Sequence, residues 1–196
     1  MLAYICLVEI KQVIFEAVGQ LMKGNLILCP ADNFWGVCCD ATQENAVQKI
    51  IELSEGDKSS HLTILLNSDA MVNNCVKEIP GIVWDLLDLH TEPLNLIMEG
   101  GLYVAKNALA DDGSICFRLI KTGIAAEIMQ KTRKPLVFYS GRFKDEKPSI
   151  NPDDLNSQFK ASSGFIVPSE FASLLSGKAE KIIRIQENGE INILRK

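Results

Sequence analysis

The chain is poor in the residues that usually announce chemistry. It has two histidines in 196 residues, His61 and His90, and neither lies at a ligand spacing from a cysteine or from the other. The six cysteines (Cys6, Cys29, Cys38, Cys39, Cys75 and Cys116) contain no CxxC pair, so a zinc or redox site is not expected. Most lie in apolar runs and read as reduced, buried thiols that behave as small hydrophobes. Positive charge is short as well. Lys and Arg total 20 against 25 Asp and Glu, a net charge of −5, which argues against a dedicated nucleic-acid binder without excluding a local basic groove. No apolar run approaches the roughly 20 residues that span a bilayer, and "MLAYICLVEIKQ" has neither a basic leader nor a cleavage site. No membrane partner and a cytoplasmic location are the expectation.

A hydrophobic fraction of 47% is enough for one substantial core, and no Pro/Gly/Ser linker interrupts the chain before about residue 145. A single domain over 1–196 is expected. Residues 11–23 place Ile14, Ala17, Val18 and Leu21 at helical spacing, with Gly24 as a stop. "LILC" reads as a strand and "QENAVQKIIELS" as a helix that Thr42 can cap. "HLTILLN", "LNLIME", "GLYVA", "SICFRLI" and "KPLVFYS" read as strands, with Gly100-Gly101 as a hairpin junction. "SDAMVNNCV", begun by Ser68, "GIVWDLLDLH" and "TGIAAEIMQKT" read as helices. After Gly141 the chain turns polar, and it closes with "KIIRIQ" and "INILR" around the turn "ENGE". This alternation, broken by hairpins, predicts an α/β domain (α+β in its hairpins) with a mixed sheet.

The most informative stretch is "LILCPADNFWGVCCDA", residues 26–41, a buried strand that opens onto a polar turn. Asp32 and Asn33 either contact a ligand or brace the turn through their own backbone. Trp35 either offers a ring face to an adenine or a cation, or sits in the core.

Taken together, these segments resemble the YrdC/YciO family. Its active members make threonylcarbamoyl-AMP from L-threonine, bicarbonate and Mg-ATP for the tRNA modification threonylcarbamoyladenosine. The family frame Pro-Thr-Asp-Thr-x-Tyr-Gly-Leu is matched by Pro30-Ala31-Asp32-Asn33-Phe34-Trp35-Gly36-Val37, closed by Cys39-Asp40-Ala41. Its basic Lys-x-Arg stretch falls on Ser54, Gly56 and Ser60, with Lys58 as a possible stand-in. Its Pro-Gly-Pro-x-Thr-Leu appears as Thr91-Glu92-Pro93-Leu94-Asn95-Leu96, and its Val-Arg-Val-Pro as Phe117-Arg118-Leu119-Ile120. Its Ser-Thr-Ser-Ala-Asn becomes Phe138-Tyr139-Ser140-Gly141-Arg142, and Ala179-Glu180-Lys181 replaces a Ser-Thr near the C-terminus.

The resemblance implies a twisted, open mixed sheet with a concave ligand face. On it, the candidate ligand-binding residues are Asp32, Asn33, Trp35, Lys58, Asn95, Arg118, Ser140 and Arg142. It implies a nucleotide-like or small anionic ligand, with double-stranded RNA as the other partner. The departures bear on chemistry. Adenylation of a carbamate needs positive charge around a triphosphate, and losing one such donor costs about 2.7–4 kcal/mol of barrier. Two such losses slow the reaction on the order of 10⁴-fold. The expectation is therefore a divergent member with weak or lost synthase activity. The alternative is an active enzyme using Mg-ATP, in which Lys58, Arg118 and Arg142 replace the missing cations. No catalytic residue and no metal ligand are assigned.

Overall fold

The apolar stripe of Ile14, Ala17, Val18 and Leu21 belongs to α1 (Leu2–Met22), which begins nine residues before the predicted helix. It ends where Gly24 adopts a φ of 71° and donates to the Leu21 carbonyl, a conformation a side chain would strain. The structure is a computed structural model that describes residues 2–54, 62–140, 148–172 and 175–196. The chain continues through β1 (Leu26–Pro30), β2 (Trp35–Asp40), α2 (Glu44–Leu53), β3 (Thr63–Leu66), α3 (Asp69–Cys75), α4 (Gly81–Leu89) and β4 (Leu94–Met98). It then forms β5 (Ile115–Leu119), α5 (Ile124–Thr132), β6 (Leu136–Tyr139), α6 (Ser157–Ser162), β7 (Ser163–Ile166), β8 (Lys181–Ile185) and β9 (Ile191–Arg195).

The strands form one mixed sheet in the order β7-β1-β2-β6-β3-β5-β4-β8-β9, the expected α/β architecture. β1–β7, β3–β5 and β4–β8 are parallel, and the other neighbours are antiparallel. The inner strands are buried along nearly their whole length, as strands covered on both faces must be. α1 packs on α5, β1 and β7, and α2 on β1 and β2, so the first helices close one side of the sheet. Residues 55–61, between α2 and β3, lie outside the described residues.

Two local expectations are corrected. Residues 101–105 do not form a strand. Gly101 makes an isolated bridge to Val76, while Gly100 and Tyr103 both take positive φ (69° and 56°) and turn the chain away. β4 instead finds its partners in β5 and β8. Thr42 does not cap α2. Its hydroxyl donates to Asp40 Oδ1 at 2.7 Å and braces the preceding turn, leaving Gln43 at the N-cap without a side-chain capping bond. Ser68 does cap α3, accepting from Met71 N at 3.3 Å.

Candidate functional site

Strand alternation sorts the residues of the site before any distance is measured. Cys38 stands opposite Phe138, Phe138 opposite Thr63, and Thr63 opposite Cys116, so these side chains share one face. Arg118, two residues beyond Cys116, shares that face, and Asn95 on β4 stands beside it. Trp35 has the opposite parity on β2. It is 1% exposed and sits in the hydrophobic core, so the ring offers no face to a ligand and that expectation is corrected.

Arg118 is 3% exposed and almost fully engaged. Its Nε donates to Asn95 Oδ1 at 2.7 Å, and Nη1 donates to Asp32 Oδ1 at 2.7 Å and to Asn33 Oδ1 at 2.8 Å. Nη2 lies 3.6 Å from Glu180 Oε2. Asn95 is fixed in turn by donating from Nδ2 to Thr63 Oγ1 at 3.0 Å. Asn33 donates from Nδ2 to Glu180 Oε2 and to the Lys178 carbonyl at 3.4 and 3.3 Å. The Asp32 and Asn33 side chains thus turn inward to the arginine rather than bracing their own turn, which the Ala31 N–Phe34 O bond closes. A strap from the C-terminal region lies across that turn, with Ser176 N and Gly177 N donating to the carbonyls of Asp32 and Asn33.

The surrounding charge is self-neutralised. Glu180 also holds Arg195 at 2.6 Å, and Glu92 holds Lys178 and Lys181 at 2.7 and 3.1 Å. Those two lysines hold the Glu92 carboxyl down at about 2, with the Lys178 hydrogen bond the largest cause. The thiols beneath this face are held protonated. Burial pushes Cys116 up to about 12, and hydrogen bonding with Cys29, reinforced by burial, raises Cys38. Cys38 is therefore a poor nucleophile. Among the described residues no group of His, Cys, Asp and Glu is arranged to hold a metal ion.

Of the expected site residues, the structure brings Asp32, Asn33, Asn95 and Arg118 together. Ser140 follows β6, half-buried, and no hydrogen bond among the described residues joins it to Arg118. Lys58 and Arg142 lie outside the described residues. Glu180 and Thr63 were missed, although a buried arginine facing one carboxylate is itself a signal for a second acidic partner. A cavity of about 490 Å³ lies elsewhere, at the carboxyl ends of β3 and β5, lined by Asn67, Met71, Tyr103, Lys121 and Arg133 among others.

Comparison with known proteins agrees with the fold. A family model, Sua5_yciO_yrdC, described as "Telomere recombination", matches residues 19–196, and the chain belongs to that family. It is similar to the threonylcarbamoyl-AMP synthase of Homo sapiens, at 24% identity over 70% of this chain and 49% of that one. It is also similar to that of Hahella chejuensis, at 22% over 81% of this chain and 87% of that one. Among solved structures, P. abyssi Sua5 complexed with L-threonine superposes with a TM-score of 0.83 at 19% identity, covering 95% of this chain and 54% of that one. E. coli YciO gives 0.80 at 16% identity, covering 94% and 89%. The chain thus spans about half the length of the human relative and of P. abyssi Sua5.

Proposed function

We propose that this member of the Sua5/YciO/YrdC family binds a small zwitterionic ligand of the amino-acid type at the Arg118 network and makes threonylcarbamoyl-AMP weakly or not at all. The observation that carries this reading is the engagement of Arg118 by four of the protein's own oxygens, three through hydrogen bonds and one as an ion pair at 3.6 Å. A triphosphate would meet Asp32, Glu180 and Glu92 around cations that are already paired. Desolvating it there without fresh positive charge is unfavourable. An amino acid fits the exchange better. Its carboxylate takes over the Arg118 fork from Asp32, and the freed Asp32, with Glu180, receives its ammonium. The L-threonine complex of P. abyssi Sua5 supports a ligand of that class on this fold. The relation to tRNA threonylcarbamoyladenosine biosynthesis follows from the family. A cytoplasmic location goes with the reading, and no described helix is long and apolar enough to cross a membrane.

Calorimetry tests the ligand. L-Threonine is expected to release or absorb heat where AMP and ATP give none, and Asp32→Asn is expected to admit anions that the parent chain rejects. ATP binding to the unmodified chain would overturn the proposal. A pyrophosphate-release assay with threonine, bicarbonate and Mg-ATP tests the activity. Turnover within about tenfold of the typical ~10 s⁻¹ would establish the active-synthase reading instead. That second reading is favoured by the names of the human and H. chejuensis relatives. Double-stranded RNA is the less favoured partner because the cations around the site are paired. A short duplex that shifts on a gel at about 0.1 M salt would restore it.

A further inference from the structure

β9 ends the sheet, pairing with β8 alone, and all five of its residues are exposed. Such an edge normally carries safeguards against pairing, yet this one presents Ile191, Ile193 and Leu194, with Ile193 55% exposed. Its unpaired backbone groups can be placed. Gln186 N donates to the Glu190 carbonyl at 3.0 Å and the Gln186 carbonyl accepts from Gly189 N at 2.8 Å, so Gln186 and Glu190 occupy a hydrogen-bonding position of the ladder at the hairpin end. Antiparallel alternation then turns the N–H and C=O of Ile191 and Ile193 away from β8, toward solvent. The register shift opposite Ile182 and Ile183 falls beyond Ile193 and leaves this alternation intact.

The charges along the edge are polarised. Glu190 precedes the strand, Arg195 ends it and Lys196 follows, all exposed. Neither Glu190 nor Lys196 makes an ion pair among the described residues, whereas Arg195 is held by Glu180. A second copy of the same edge, laid antiparallel and centred on Ile193, sets Glu190 opposite Lys196 of the other copy at both ends. The same register sets Ile191 opposite Arg195 and Ile193 opposite itself. It places the outward backbone groups of the two Ile193 residues face to face, as a hydrogen-bonded antiparallel pair requires. A parallel arrangement would instead set Glu190 beside Glu190 and Lys196 beside Lys196, which is unfavourable.

We propose that β9 is a homodimer interface, in which two copies of this chain join edge to edge about a two-fold axis through Ile193 and extend the sheet across both. The contact is small, which places it with weak, transient assemblies.

Sedimentation of the full chain over a range of concentrations tests this. A reversible monomer–dimer equilibrium is expected at upper micromolar concentrations. Ile193→Lys sets two ammonium groups together on the axis and is expected to abolish the dimer while the circular dichroism spectrum stays unchanged. Glu190→Lys is expected to weaken it about tenfold, and the pair Glu190→Lys with Lys196→Glu to restore it. A chain that stays monomeric to about 1 mM, a dimer that survives Ile193→Lys, or a charge exchange that fails to restore association would each overturn the proposal.

Discussion

Arg118 on β5 and Ile193 on β9 belong to the same sheet, three ladders apart, and show opposite states of satisfaction. Around Arg118, Nε and Nη1 donate to protein acceptors, Nη2 lies 3.6 Å from Glu180 Oε2, and each nearby cation has a carboxylate. Along β9 the outward backbone groups of Ile191 and Ile193 and the apolar side chains face water, and Glu190 and Lys196 make no ion pair among the described residues. Such engagement at the first place is what the proposed exclusion of highly charged ligands rests on. Its lack at the second leaves an edge able to recruit a partner at little cost to the fold.

The sharpest way to break the contrast is Arg118→Leu. It leaves Asp32 without its cation, Glu180 with Arg195 alone, and the buried Asn95 Oδ1 and Asn33 Oδ1 without a donor. Removing one partner of a buried pair costs about 3–5 kcal/mol, and because Asp32 is 33% exposed the lower end, about 3 kcal/mol, is expected. Urea denaturation reads this directly. An unchanged midpoint would mean that Arg118 is a free ligand-binding group held in place by nothing essential. Gly36→Ala comes next. A Cβ there would meet the Tyr139 carbonyl oxygen and the Phe138 ring, and the carbonyl is backbone that cannot step aside. Overpacking of this kind costs about 1–3 kcal/mol. The glycine shared with the family frame is explained by this close approach of β2 and β6, with no ligand required.

The order of elements was largely legible, because helical and strand periodicities differ and Gly24 and Ser68 mark their ends. What periodicity could not supply was partner choice. "GLYVA" has strand composition, but pairing is decided across the sheet, and β4 is taken by β5 and β8. The site was legible in membership and not in role. Asp32, Asn33, Asn95 and Arg118 were singled out one by one from motif fragments, yet nothing in the order of residues shows that they satisfy one another. Glu180, far along the chain, completes the network. Trp35 lost its ligand-facing role to strand parity, since one residue's offset moves a side chain to the other face.

The thiols supply a smaller and pH-dependent test of how closed the centre is. Cys116 is raised from 9.0 to about 12 and Cys75 to about 11, burial being the largest cause for each. Below pH 9.0 these thiols are protonated in both folded and unfolded chains, and nothing is lost. Above it the unfolded chain releases protons that the folded chain retains. Stability therefore falls as pH rises toward about 11–12. At about pH 10 the loss is about 1 kcal/mol per thiol, and Cys116→Ala is expected to remove its share of that slope. A flat stability between about pH 8 and about pH 10 would mean that water reaches the sulfur.

The smallest effect is expected at the edge, and its smallness decides the matter. Ile191→Thr exchanges an exposed β-branched side chain for another on a strand paired on one side only. In dilute solution, where the chain is monomeric, denaturation should move by no more than about 0.5 kcal/mol. That figure is several times below the loss at Arg118. If the two variants destabilised the monomer equally, β9 would be part of the core's cooperative unit, and the distinction between a saturated centre and an available edge would fail. A small change in the monomer accompanied by weaker association at high concentration would show that the apolar character of β9 serves a contact outside its own fold.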